Sequence, residues 1–94
     1  MSASIQQLIN RIQQFQQIGN LTEAERIGRD ALLTTPNSPE LLSAIAVVAS
    51  QAGRHDEALT LLQRATDLAP DNYIHLFNLG SVYAAKEQFQ AAEA

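Results

Sequence analysis

Ninety-four residues with a formal net charge of −4 make one small domain whose charge argues against an anionic partner. With 46% hydrophobic and 17% charged residues the composition is that of a folded chain and excludes disorder. The six Lys and Arg residues are scattered singly, so neither nucleic acid nor an anionic membrane surface is an expected partner. The absence of cysteine removes disulfides, thiolate metal sites and thiol nucleophiles, and fits a reducing, cytoplasmic location. The longest apolar run, Ala44 to Ala49, is far too short to span a membrane. The opening Met1-Ser2-Ala3-Ser4 carries no basic segment followed by an apolar core, so no secretory signal is expected.

Ile5, Leu8, Ile9, Ile12, Phe15 and Ile18 recur at spacings of three and four, which predicts an amphipathic first helix with glutamines on its wet face. Ser2 or Ser4 is its expected cap. Gly19-Asn20 breaks it, and Asn20 with Glu23 has the spacing of a capping pair for a second helix reaching about Thr34. The inner face of that helix, Ala24, Ile27, Gly28, Ala31 and Leu32, is small enough for a close crossing. Pro36 ends it, because the residue before a proline is pushed out of the helical region.

Ser38-Pro39 starts a third helix, with a hydroxyl cap and a proline where no N–H is needed. Leu41, Leu42, Ile45, Ala46, Val48 and Ala49 make this the most apolar element and therefore the central one. Gly53 stops it. A fourth helix carries Ala58, Leu61, Leu62, Ala65 and Leu68, and Pro70-Asp71-Asn72 repeats the earlier turn. A fifth is expected to hold Leu76, Leu79, Gly80, Val82 and Tyr83 to about Glu87, with Phe89, Ala91 and Ala92 beginning a sixth that Ala94 cuts short.

One register runs through these elements. Pro70 follows Pro36 by 34 residues, and the same offset relates Gly53 to Gly19, Ala65 to Ala31, Ala58 to Ala24 and Ala92, and Leu42 to Leu8 and Leu76. A 34-residue period is the length of one helix–turn–helix unit in a stacked array. In Leu42, Ile45-Ala46, Gly53, Ala58, Leu62, Ala65 and Pro70, and again in Leu79-Gly80, Tyr83, Phe89 and Ala92, the chain resembles the tetratricopeptide repeat family over nearly its whole length.

The resemblance implies an all-α, right-handed superhelical stack of antiparallel helix–turn–helix units. The single domain, residues 1–94, divides into an atypical first repeat (5–38), a second (39–72) and a truncated third (73–94), about two and a half repeats in all. Arg11-Ile12 and Gly28 depart from the pattern of the first repeat, and a volume exchange between Ile12 and Gly28 is the expected compensation. The break in the third repeat points to an N-terminal fragment of a longer protein.

Members of the family hold a peptide or a partner helix in the concave groove lined by the first helix of each repeat, and the chain is expected to act as such a scaffold without catalysis. Carried onto this chain, that groove would be lined by Gln6, Ile9, Asn10, Gln13 and Gln17, by Glu40, Ala44, Val47 and Gln51, and by Ile74, Phe77, Asn78 and Ser81. Asn10 and Asn78 resemble part of an asparagine ladder that grips peptide backbone, interrupted by Ala44. The cationic clamp of chaperone-binding members has no counterpart, since Ile9, Gln13, Ala44, Ile74 and Asn78 stand at its sites. Two alternatives accompany this reading. One is a substrate-positioning accessory region of a larger enzyme such as a glycosyltransferase or sulfotransferase. The other is a homodimer formed through the truncated last repeat by Leu79, Val82, Tyr83 and Phe89.

No catalytic residue, metal site or cofactor is expected. His55 and His75 are 20 residues apart in no ligand spacing and read as surface residues. Ser43, Ser50 and Ser81 lack the glycine-flanked elbow of a nucleophilic serine.

Overall fold

The computed structural model describes residues 4–93, so Ser2 lies outside the described residues. Ser4 caps α1 (Ile5–Gln17): its Oγ accepts from the Gln7 N–H at 3.2 Å, and the Gln7 side chain accepts from the Ser4 N–H at 2.9 Å. Gly19, at φ 82°, turns the chain into α2 (Leu21–Thr34), whose first turn is capped by the Asn20 side chain accepting from the Glu23 N–H at 3.2 Å. The Ser38 hydroxyl and Pro39 open α3 (Pro39–Gln51), with the Leu41 N–H donating to Ser38 Oγ at 3.3 Å. Gly53, at φ 88°, repeats the turn into α4 (His55–Leu68). The two turns share their hydrogen bonds in register. Asn20 N–H donates to the Phe15 carbonyl and Arg54 N–H to the Ala49 carbonyl, both at 2.9 Å. Only glycine takes that left-handed conformation without steric cost.

Packing follows the chain order. α1 pairs with α2 and α3 with α4 as hairpins, α2 packs on α3 and α4 on α5, while α3 also touches α1 and α5. The most apolar helix is thus the one with the most neighbours. Leu41, Leu42, Ile45, Ala46, Val48 and Ala49 are all fully buried, and each Leu, Ile or Val contributes about 1.5–3 kcal/mol by leaving water. At the crossing of α2 and α3, a Cβ on Gly28 would lie 2.5 Å from Ile45 Cγ1 and 3.5 Å from Ile12 Cδ1. The volume exchange expected with Ile12 is made mainly with Ile45, from the neighbouring repeat. The Arg64 guanidinium donates to the Pro36 carbonyl at 2.9 Å and ties α4 to the preceding turn.

The last element differs from expectation. α5 runs unbroken over Tyr73–Glu93, 21 residues, and no separate sixth helix begins at Phe89. In the 34-residue register Glu87 stands where Gly19 and Gly53 make their turns. Ala84-Ala85-Lys86-Glu87-Gln88 is a run of strong helix formers, so nothing there disfavours continued helix. The far half of α5 lies across the start of α4, where Lys86 Nζ meets Asp56 at 2.7 Å and the Phe89 ring meets His55 edge-on with centroids 5.6 Å apart.

Candidate peptide-binding groove

The first helices of the three repeats enclose a groove of about 440 Å³. Its α1 wall is Gln6, Ile9, Gln13 and Gln16; its floor is Glu40, Ser43, Ala44 and Val47 of α3; Ile74, His75 and Asn78 of α5, with Asn72 before them, close it. These positions follow from helical spacing. Ile9 and Gln13 are one turn apart on α1, Glu40, Ala44 and Val47 share a stripe of α3, and Ile74 and Asn78 do the same on α5. A larger, shallower depression of about 550 Å³ follows Leu68 to Ile74, but one continuous stretch of chain forms it. The groove depends on the stacking of three helices.

Of the residues named from sequence, Ile9, Gln13, Ala44, Val47, Ile74 and Asn78 line this groove together, as do Gln6 and Glu40. Asn10, Gln17, Gln51, Phe77 and Ser81 do not. Asn10 is exposed and accepts from Gln6 Nε2 at 3.0 Å, Ser81 Oγ donates to the Phe77 carbonyl at 3.0 Å, and Phe77 is 72% exposed. Four lining residues were missed: Gln16, Ser43, Asn72 and His75. Ser43 is buried and accepts from Asn78 Nδ2 at 2.8 Å, joining α3 to α5. His75 is buried in the core and is not the surface residue expected. The signal was in the register, because 34 residues before it stands Leu41, which is fully buried.

The four residues named for self-association divide between surface and core. Val82 is 4% exposed and already covered, Leu79 is half-buried against the core, and Tyr83 and Phe89 are each about half-exposed. Part of the cover expected from a sixth helix is given by α4 to the unbroken α5.

Electrostatically the groove carries neutral amides and one charge, Glu40. The opposite sign balance sits on α2 and α4. Arg29 pairs with Glu57, Arg54 pairs with Glu25, and Arg54 Nε closes the set on Glu57 at 3.0 Å. The Arg29 hydrogen bond, then its charge, holds the Glu57 carboxyl below the usual glutamate range. Lys86 does the same to Asp56, and Arg26 to Glu23. Among the described residues no group of three His, Cys, Asp or Glu is placed to hold a metal ion, and no helix is long and apolar enough to cross a membrane.

Residues 43–94, more than half of the chain, match the family described as Tetratricopeptide repeat. The chain belongs to the tetratricopeptide repeat family. In that family the repeat is a non-catalytic module that mediates protein–protein interaction, and the all-α, right-handed superhelical stack is its fold. Among curated proteins, the tetratricopeptide chain is 33% identical over 87 residues to the rhomboid protease GluP of Bacillus subtilis (strain 168), covering 90% of this chain and 16% of that protein. Among solved structures it is similar to a mutant O-GlcNAc transferase from Thermobaculum terrenum, with 28% identity and a TM-score of 0.76 over 87% of this chain and 16% of that one. The tetratricopeptide chain therefore spans about a sixth of each of these two proteins.

Proposed function

We propose that this module binds a protein or peptide partner in the groove formed by α1, α3 and α5. The observation that carries the reading is the chemistry of that surface, an apolar floor of Ile9, Ala44, Val47 and Ile74 bordered by the amides of Gln6, Gln13 and Gln16. An extended segment laid along it buries apolar side chains on the floor while the glutamines bond its backbone. Apolar burial contributes roughly 25 cal/mol per Å², offset in part by the ordering of the segment.

The test uses a phage-displayed library of random peptides selected on the purified chain, with affinities read by fluorescence polarisation. Val47→Glu, which sets a carboxylate on the floor, is expected to weaken the selected peptides at least about ten-fold while circular dichroism stays helical. Unchanged affinity overturns the groove reading, and loss through Phe77→Glu instead moves the binding surface to the outer side of α5. Light scattering on the same preparation reads whether a second copy occupies the surface, in which case the mass doubles and selected peptides compete with it.

A second reading has its own support, since both relatives are enzymes and this chain spans about a sixth of each. On that reading the groove positions a protein substrate for a catalytic part elsewhere. Val47→Glu in the full-length protein is then expected to raise KM for a protein substrate and to leave kcat unchanged, and a fall in kcat at unchanged KM argues against it.

A further inference from the structure

One group on the groove is left incomplete by the fold. His75, in the first turn of α5, is 2% exposed, and neither Nδ1 nor Nε2 has a hydrogen-bond partner among the described residues. Its counterpart one repeat earlier is Leu41, fully buried, so a polar ring stands in a position the fold fills with leucine. Buried polar groups are nearly always paired, and leaving two ring nitrogens unpaired costs free energy that leucine would not. The same ring borders the groove beside Ser43, Asn72 and Asn78.

The neighbours define what completes the ring. Asn78 Nδ2 is committed to Ser43 Oγ at 2.8 Å, which leaves Asn78 Oδ1 free to accept. Asn72 Oδ1 accepts from the Ile74 N–H at 3.0 Å, which leaves the Asn72 amide free to donate. A neutral imidazole adds one N–H donor and one acceptor. The site thus offers donors and acceptors in equal kind, and the one charged residue among those lining it is Glu40. No cation is present to offset a bound carboxylate. The matching group is neutral, planar, and able to donate and accept at once.

We propose that His75, with Asn78 and Asn72, forms a subsite for a carboxamide, the side chain of an Asn or Gln in the bound peptide. The proposal rests on the groove reading and specifies what the groove selects. His75 lies below walls made by Ile9, Val47 and Ile74, so a side chain reaches it and a backbone seated on the rim does not. The ligand amide donates to one ring nitrogen and its oxygen accepts from the other or from Asn72.

The experiment is a titration of the 15N-labelled chain with acetamide, N-methylacetamide and sodium acetate, read at the His75 ring nitrogens and the Asn78 side-chain amide. Acetamide is expected to shift these signals saturably, and acetate to leave them in place. His75→Leu is expected to raise the melting temperature and abolish the acetamide response at Asn78, while His75→Gln keeps it. Three results overturn the proposal: no saturable acetamide shift, an equal response to acetate, or a lower melting temperature for His75→Leu, which means the ring nitrogens are already satisfied. An N-methylacetamide response equal to that of acetamide assigns the subsite to peptide backbone and refutes the side-chain assignment. Selected peptides that still bind and still respond to Val47→Glu, in a chain deaf to acetamide, leave the groove standing and remove the subsite alone.

Discussion

Gly28 sits where two repeats come closest. A methyl group there would lie 2.5 Å from Ile45 Cγ1, inside any tolerable contact, and Ile45 is itself fully buried with no free volume to enter. Gly28→Ala is expected to destabilise the fold by about 1–3 kcal/mol as Ile45 or the backbone shifts. A thermal melt checks it, and adding Ile45→Val should restore part of the loss. The sequence signals an exchange of volume at this glycine but names Ile12, because the partner that matters lies in the next repeat and no pattern within one repeat reveals it. Another residue-scale prediction concerns Glu57, whose carboxyl Arg29 holds below the ordinary glutamate value of 4.5. A folded value below the unfolded one stabilises at pH above 4.5, and that share is lost as pH falls through the folded value. The melting temperature is expected to drop on acidification below about pH 4.5, and Glu57→Gln to drop less over the same interval. Added salt should shrink the difference, because the pair is partly exposed.

Helix boundaries were readable where local chemistry announced them. Ser4, Asn20 and Ser38 all serve as caps, and Gly19 and Gly53 make the two left-handed turns. The fifth helix was misread because the 34-residue register was followed past the point where its glycine is missing. Glu87 and the formers around it decide the matter locally, and α5 continues to Glu93. Replacing Glu87-Gln88 by Gly-Asn, the pair found at Gly19-Asn20, is expected to interrupt α5 at that point. NMR secondary shifts should then lose helical character at 87–88, and amide exchange beyond should speed up. Helical shifts maintained through Ala92 would mean that contacts with α4, among them Phe89 on His55, hold the element together regardless of propensity. The groove was half legible for a related reason. Helical spacing placed Ile9, Gln13, Ala44, Val47, Ile74 and Asn78 correctly, but the rotation of α5 against α3 decides that Phe77 and Ser81 face away and His75 faces in.

The whole molecule, 49 × 31 × 18 Å, is held together only by neighbouring contacts: α3 touches both α1 and α5, and those two do not touch each other. Stability in such a stack is close to a sum of local units and their interfaces. Val82, 4% exposed, belongs to the last interface. Val82→Ala is expected to speed hydrogen exchange throughout α5 while amides of α1 and α2 keep their protection, and uniform loss of protection would mean a single cooperative unit. The stacked architecture was legible in the sequence because it depends on a repeated period and not on any one contact. The same topology has a mechanical consequence for the groove. Its two walls, α1 and α5, are joined only through the floor, so its width is a soft coordinate, like the gap of a leaf spring, and a small rotation at either α3 interface opens or narrows it without breaking a core contact. Curvature therefore becomes a variable that an occupant sets, and segments of different girth can be gripped by the same residues at a cost measured in bending.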